Sequence, residues 1–313
     1  MGYVYSLIAA LLFGANGSVT KVVVDAGLSP AQLTFFRVLS AAVLSGVVLL
    51  ITDRRAFRVT ARQLVIFAVL GIVGVAMLQF TYAVALSLLP VGITLLIEYT
   101  AVLMVAVIAY FFLHEQVKAR LWLAIGLVLV GLAVVARIGA GELDPVGVAI
   151  AFCAAITLTI YFLGGEREVG KSSPLAVAFW TMLFATGFWT IFSAWWLVDP
   201  ALLSKSVSLT GNLTDIVVPL WVPLGWNMVL GSFVAFLLSL VALGRLKATA
   251  AGIVASSEVI FAFVVAWLWL GEALDPVQII GAAIVLVGIV LAQTARTDRV
   301  VDADLALAQH PAP

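Results

Sequence analysis

The chain has 313 residues, of which 64% are hydrophobic and 10% are charged, and its 16 basic and 16 acidic residues give a formal net charge of zero. Soluble domains average roughly 25% charged residues, so this composition excludes an ordinary soluble protein and indicates an integral membrane protein. Balanced charge offers no basic surface to nucleic acid, so we expect no nucleic-acid partner.

Ten apolar stretches follow one another, each about as long as a helix that crosses ~30 Å of hydrocarbon. Barrel strands would instead be short and alternate in polarity, a pattern that this sequence lacks. We therefore predict an all-α integral membrane protein with ten transmembrane helices, numbered here segment 1 to segment 10. Their ranges are 3–24, 30–51, 63–86, 92–113, 119–137, 145–163, 174–197, 221–243, 249–270 and 276–295.

Prolines punctuate the connections and predict where helices begin. A proline in the first turn of a helix costs no hydrogen bond, because that amide is unpaired in any case. Segment 1 has neither a positively charged n-region nor a small-residue cleavage site after it, so we expect it to remain as the first helix. The proline steps are Ser29-Pro30, Leu89-Pro90, Asp144-Pro145, Ser173-Pro174, Asp199-Pro200 and Asp275-Pro276.

The sequence contains an internal duplication. Shifted by 157 residues, 82–135 aligns without a gap on 239–292, with 13 of 54 positions identical. At a shift of 144, segments 1 and 2 align with segments 6 and 7, which leaves a 13-residue insertion after segment 7. A second copy that follows five helices enters the membrane inverted. We predict two inverted five-helix repeats, 1–139 and 144–296, and a disordered cytoplasmic tail at 297–313.

The basic residues predict the orientation. Cytoplasmic loops retain an excess of lysine and arginine, so the connections that carry them, and both termini, are predicted to be cytoplasmic in a multi-pass protein of the cell (inner) membrane. Four tryptophans at the end of segment 7 and the start of segment 8, Trp195, Trp196, Trp221 and Trp226, would then form an external belt. On the predicted cytoplasmic side lie 12 of the 16 basic residues: Arg54, Arg55, Arg58, Arg62, Lys118, Arg120, Arg167, Lys171, Arg245, Lys247, Arg296 and Arg299.

A few polar side chains lie within the predicted spans. A charge there costs at least ~2.5 kcal/mol and needs a partner, a wet cavity or a route to the interface. Arg37 and Glu98 lie at similar depth in the external half, as do Asn16, Gln79 and Asn227. Two interpretations are open. The residues form a substrate site, in which Arg37 and Glu98 pair with each other or with a zwitterion, or the two charges form a structural ion pair between segments 2 and 4.

Glu258 lies near the middle of segment 9. Small residues spaced by three or four share its face, which predicts that it points toward other helices. Its neighbours Ser256 and Ser257 could hydrogen-bond to substrate or to protein. Glu258 could contact substrate or carry a proton; the structural alternative is a protonated carboxyl group bonded to backbone near a helix break. The small residues are Ala251, Ala255, Ala262 and Ala266.

The remaining features have mainly structural interpretations. Glu115 and Glu272 end helices at opposite interfaces, and Lys21 can extend to the external surface. The single cysteine, Cys153, excludes an intramolecular disulfide and is expected to be a buried packing residue. Glycines in segments 5 and 10 suit close helix packing, in a scaffold or at a homodimer face. They are Gly126, Gly131, Gly281 and Gly288.

Two motifs carry a resemblance to a known family. Each repeat ends a helix in a Leu-x-Glu step, at 113–115 and 270–272, and continues into a glycine-rich helix. With ten inverted spans, this resembles the EamA family of the drug/metabolite transporter (DMT) superfamily. The second copy, 242–292, is the closer match, with Glu258 fourteen residues before Glu272 and Val259 where the family often has proline. The 89–99 stretch looks like the threonine/homoserine exporter branch, although Ala101-Val102 replaces its usual glycine-proline.

The resemblance implies a central cavity lined by segments 1–4 and 6–9, with segments 5 and 10 peripheral. Members move small metabolites, often amino acids, and many are exporters. We therefore predict a secondary transporter of small polar metabolites that works by alternating access, with proton coupling as one option. A passive facilitator or an uptake carrier is the alternative.

Other classes of function have less support. The sequence has no Walker-type phosphate loop, HExxH or GxSxG motif, and only two histidines, so neither ATP-driven transport nor an embedded enzyme is favoured. We expect no enzyme activity, no cofactor and no metal site. A structural or lipid-handling membrane protein is a third class.

Overall fold

The computed structural model of the protein describes residues 1–113, 119–135, 143–169, 172–243, 245 and 254–294. Within these ranges the chain is helical except for its connections and one short hairpin, and eight helices are long and apolar enough to cross a membrane. Two shorter apolar helices, Arg120–Val135 and Ser257–Leu270, belong to segments 5 and 9. The predicted helical class is confirmed, whereas ten spans in two inverted repeats stay predictions.

Within the described ranges, three segments contain a π-helix. Segment 3 consists of Ala61–Val69, the π-helix Leu70–Ala76 and Met77–Leu86. Segment 8 consists of Trp221–Met228, the π-helix Val229–Val234 and Ala235–Leu243, and segment 9 ends in Ser257–Val265 and the π-helix Ala266–Leu270. The remaining long helices are Gly2–Asp25, Pro30–Thr52, Val91–Glu98, Ala101–Leu113, Arg120–Val135, Pro145–Val169, Pro174–Phe192 and Pro276–Gln293.

Local sequence explains where these helices begin. The Ser29 hydroxyl accepts a hydrogen bond from the Gln32 amide, and Asp275 caps segment 10 in the same way. Such caps pair amides that the helix leaves free, and a following proline needs no pairing. As the proline steps predict, helices begin at Pro30, Pro145, Pro174, Pro200 and Pro276.

The insertion after segment 7 forms a structure that the helical prediction did not contain. Strands β1 (Ser206–Ser208) and β2 (Val217–Pro219) pair antiparallel, with Val207 opposite Val218. Between them, the Asn212 amide donates to the Trp267 and Leu268 carbonyls, which lie near the end of segment 9. Helix ends leave carbonyls without partners, so the hairpin supplies donors for them. We call this side of the bundle the hairpin side.

The tryptophans predicted to form a belt are exposed at the hairpin side. Trp195 and Trp196 follow the helix of segment 7, while Trp221 and Trp226 lie at the start of segment 8. Each has at least 38% of its surface exposed. This exposure fits an amphipathic ring at a membrane interface.

Segments 5 and 10 pack closely against each other. A side-chain carbon added at Gly131 would come within 2.9 Å of Val285 atoms, and one at Gly288 would meet Val128. These glycines therefore allow two helix backbones to approach each other within the chain. Gly126, in contrast, faces open space. A homodimer stays a prediction that this intramolecular packing does not support.

Two structural expectations differ from the structure. Cys153 is exposed on segment 6 instead of buried, which an apolar side chain tolerates on a helix face that meets lipid. The Lys21 ammonium group pairs with a Glu272 carboxylate oxygen at 2.5 Å instead of extending away. Glu115, Ala251 and the tail at 297–313 lie outside the described residues.

Candidate functional site

Segment 2 buries Arg37, leaving 7% of its surface exposed. Its Nε donates to the Ser232 hydroxyl at 3.2 Å, and its Nη1 has no hydrogen-bond partner among the described residues. A direct Arg37–Glu98 ion pair is therefore wrong for this structure, because Ser232 occupies Nε and Glu98 Oε2 also has no partner within the described part of the chain. Glu98 still interacts electrostatically with Arg37 and with Glu258.

The π-helix of segment 8 shapes the opposite wall. The Ser232 hydroxyl donates to the Asn227 carbonyl at 2.8 Å, five residues earlier, which suits the i→i+5 spacing of a π-helix. The Asn227 side chain is fully buried and donates to the Thr20 hydroxyl of segment 1 at 2.8 Å. Gly231 leaves room for Asn16, because a side-chain carbon there would overlap the Asn16 amide. Segment 8 thus joins segments 1 and 2.

Segments 4 and 9 both change helical geometry beside a carboxylate. The helix Val91–Glu98 ends at Glu98, two turn residues follow, and the chain becomes helical again at Ala101. In segment 9 the turn residue is Ser256, which aligns with Tyr99 at the shift of 157. The Tyr99 hydroxyl donates to Glu258 Oε2 at 2.5 Å, so a hydrogen bond connects the two interruptions. The structural alternative for Glu258 had a backbone partner, whereas the partner in this structure is a tyrosine side chain.

Three predicted site residues are bonded elsewhere. The Gln79 amide nitrogen contacts Met182 Sδ at 3.9 Å, and its Oε1 has no partner in the described ranges. Ser257 donates to the Val254 carbonyl at 2.6 Å, and Ser256 lies 3.4 Å from Gln293 Oε1. The sequence allowed these two serines to hydrogen-bond to substrate or to protein, and in the structure both contact protein groups.

We call Asn16, Arg37, Glu98, Asn227 and Ser232 the polar cluster. All five side chains are at most 8% exposed, and segments 1, 2, 4 and 8 supply them. Buried polar atoms usually have partners, because each unpaired one costs ~1–3 kcal/mol. Atoms of this cluster without a partner among the described residues are Asn16 Oδ1, Arg37 Nη1, Glu98 Oε2 and Asn227 Oδ1.

The cluster offers a cationic donor together with carboxylate and amide acceptors. Such a set can bind a small polar ligand that has an anionic group for Arg37 and a donor-rich group for Glu98 and the amides. Among the described residues, no three His, Cys, Asp or Glu side chains are grouped as metal ligands would be.

Sequence reasoning missed Ser232 and Tyr99. Both lie in mostly apolar stretches of sequence, and their residue types give no signal by themselves. Tyr99 has one retrievable cue, because it directly follows Glu98 and aligns with Ser256 beside Glu258. Ser232 has none, since its role depends on a π-helix that the sequence pattern did not indicate.

Comparison with known proteins places this geometry in context. The model of the EamA-like transporter family matches residues 1–137 and 145–294. The threonine/homoserine exporter RhtA of Escherichia coli K12 is 26% identical over 212 residues, which are 67% of this chain and 64% of that protein; RhtA of Escherichia coli O157:H7 matches equally. The chain thus matches a little under two thirds of the length of these relatives.

A solved crystal structure shows the same fold. It superposes with a TM-score of 0.63 over 93% of this chain and 96% of that one, at 17% identity. The family match spans both halves of the chain and agrees with the apolar helices, so the protein is a multi-pass membrane protein of a transporter family. The resemblance that its sequence motifs carry is confirmed: the chain belongs to the EamA-like transporter family of the DMT superfamily.

Proposed function

We propose that the protein is a secondary transporter that exports small zwitterionic metabolites of the amino-acid class by alternating access. The observation that carries this proposal is that Arg37 Nη1 and Glu98 Oε2, buried in the same cluster, both lack a hydrogen-bond partner among the described residues. A guanidinium group binds a carboxylate, and a carboxylate binds an ammonium group, through charge-assisted hydrogen bonds. An α-amino acid carries both groups on one carbon.

Charge balance supports the same ligand class. Arg37 interacts electrostatically with Glu98, and Glu98 in turn with Glu258, so Glu98 is influenced by one cation and by one further carboxylate. Charge buried in a membrane requires compensation. A zwitterion leaves that balance unchanged while it supplies an ammonium group to the carboxylates. Asn16, Gln79 and Asn227 would bind polar atoms of its side chain, and RhtA, by its name, exports two hydroxylated amino acids.

Alternating access is supported by the matched interruptions of segments 4 and 9. Discontinuous helices in two inverted repeats commonly line the substrate site of a transporter. In our proposal the hairpin side is external and both termini are cytoplasmic. The Lys21–Glu272 ion pair closes the hairpin side, and the Val91 amide donates to the same Glu272 carboxylate. The protein would lie in the cell (inner) membrane.

For coupling, we assign the proton to Glu258. It is hydrogen-bonded to Tyr99 at the junction of the two interrupted helices, where movement of either helix would change its surroundings. Glu258→Gln should abolish accumulation of substrate against its gradient and leave substrate-for-substrate exchange measurable, because exchange needs no net proton transfer. Accumulation by this variant under a pH difference would exclude Glu258 as the carrier. Exchange without accumulation in the wild-type protein would identify a passive facilitator.

The experiment that tests the function is counterflow in liposomes that contain the purified protein. Vesicles are loaded with one unlabelled member of a panel of amino acids and other metabolites, and the same compound is added outside in labelled form. For an amino acid that the protein carries, uptake of the label should be faster than in empty liposomes, which are loaded alike but contain no protein. Arg37→Ala should remove this uptake, while Ser45→Ala, a buried serine bonded within its own helix, should retain it. Wild-type protein that exchanges no member of the panel would refute the proposal and favour a lipid-handling or enzymatic role.

A further inference from the structure

Ser232 has a hydrogen-bonding geometry that differs from the other buried hydroxyls named here. In an α-helix, serine and threonine usually return their proton to the carbonyl three or four residues earlier, as Thr34 and Ser45 do. Ser232 instead donates to the carbonyl of Asn227, five residues earlier, within the π-helix. The hydroxyl has one proton, and that proton is used in this bond.

The orientation of the Ser232 hydroxyl determines what it offers to Arg37. With its proton directed at Asn227, the oxygen presents lone pairs, and the Arg37 Nε donates to one of them at 3.2 Å. A guanidinium group is planar, so a bond at Nε restrains the plane of the whole group. The Nη1 atom of that plane has no partner among the described residues.

A second serine connects the same two elements. The Ser40 hydroxyl lies 3.1 Å from the Met228 carbonyl, at the start of the π-helix, and 2.9 Å from the carbonyl of Arg37 itself. The Arg37 side chain is thus bonded to the π-helix through Ser232, and Ser40, three residues further along segment 2, lies within hydrogen-bonding distance of the residue before that π-helix. The two serines thus bond to the carbonyls of Asn227 and Met228, the two residues directly before the π-helix.

We infer that Ser232 is a positioning residue for substrate selection: it fixes the Arg37 guanidinium so that its free edge faces the substrate carboxylate, which sets the preference for acids over their neutral amides. This inference rests on the proposed function. Without Ser232, the guanidinium keeps its charge but loses the bond that restrains its plane. Two-point recognition of a carboxylate then weakens, whereas a neutral amide, which relies little on that geometry, is affected less.

The test compares Ser232→Ala, Ser232→Thr and the control Ser45→Ala in the same liposomes. For the amino acid that the wild type exchanges best, and for its carboxamide, KM and maximal rate are measured. Ser232→Ala should raise the KM for the acid by roughly tenfold, as expected for a lost bond to a charged group, and lower the acid-to-amide preference by a similar factor. Maximal rate should change less than about twofold.

Rescue separates positioning from general damage. Ser232→Thr keeps the hydroxyl and should keep the acid-to-amide preference, and Ser45→Ala should keep it too. If Ser232→Ala does not fold, as judged by gel filtration, Ser232→Cys, a weaker acceptor of similar size, should show an intermediate loss. An unchanged preference in the Ala or Cys variant would overturn the inference and leave the proposed function intact. Absence of exchange by the wild type would overturn both.

Discussion

The π-helices of segments 3 and 8 occupy corresponding places in the duplication, but different side chains surround them. At the shift of 157, Gly74 aligns with Gly231, and each glycine receives a side chain from a neighbouring segment. Gly231 lies against Asn16 of segment 1, whereas Gly74 lies against Tyr161 of segment 6. Both segments thus contain a π-helix, but the side chain that packs against its glycine is a polar amide in one and an aromatic ring in the other.

The residues around the two π-helices show the same contrast. Ser232 aligns with Val75, and at the shift of 144 Arg37 aligns with Thr181. Thr181 bonds only to carbonyls of its own helix among the described residues, and the indole of Trp189 donates to the Ala76 carbonyl at 3.2 Å. One copy therefore surrounds its π-helix with a polar cluster and the other with apolar packing. The duplication thus repeats a distortion of the helix, while the polar cluster, which takes residues from both repeats, surrounds only the π-helix of segment 8 among the two.

The comparison assumes that the two repeats are inverted in the membrane. Cysteine labelling tests this orientation, and its effect should be the largest, because a thiol on the far side of the membrane is not labelled at all. Arg58→Cys and Asp215→Cys, each in a Cys153→Ala background, place single thiols in exposed connections of opposite predicted sidedness. A membrane-impermeant maleimide added to intact cells should label residue 215 fully and residue 58 only after the cells are opened. Labelling of both from outside would reject the proposed orientation.

The next largest effect should come from the aligned pair Arg37 and Thr181. Arg37→Ala removes the cation of the polar cluster, so we expect exchange to fall to the level of empty liposomes. Thr181→Ala removes a hydroxyl bonded within its own helix, so exchange should stay within about twofold of wild type. Equal losses in both variants, at equal folded yield, would show that the two π-helices contribute alike.

A smaller difference should separate the two glycines. Gly231→Ala would push the Asn16 amide out of the polar cluster, so we expect exchange to fall about tenfold, close to the effect of one lost hydrogen bond to substrate. At Gly74 the added carbon meets Tyr161 at 3.2 Å, which requires a shift of only a few tenths of an ångström. Gly74→Ala should retain exchange within about twofold.

Asn16→Ala combined with Gly231→Ala provides the control for that difference. The double variant should recover part of the folded yield, measured by gel filtration, because the severe overlap with the Asn16 amide group is removed and only the contact with its Cβ, at 2.9 Å, is kept. Its exchange should stay low, because the amide is absent. A double variant with wild-type exchange would remove Asn16 from the binding site.

Much of the fold could be predicted from the sequence because it follows from local chemistry. Apolar length identifies membrane helices, and Ser or Asp before proline marks where several begin. Within the candidate site, depth along the helices selected Asn16, Arg37, Gln79, Glu98 and Asn227, since residues at one depth in a bundle can meet, and all of these except Gln79 lie in the polar cluster. Burial of those four agrees with that selection.

The sequence by itself thus determined the membrane class, the helix starts and the polar residues that need partners, because each depends on neighbouring residues or on the solvent. The tertiary structure alone decided which residues those partners are. Arg37 meets Ser232 across 195 residues, Tyr99 meets Glu258 across 159, and Lys21 meets Glu272 across 251. Such pairs depend on the direction in which each helix presents its side chains, and a π-helix changes that direction within one turn. A hydrophobic pattern shows which residues are apolar, but it does not show the angle at which a hydroxyl group points.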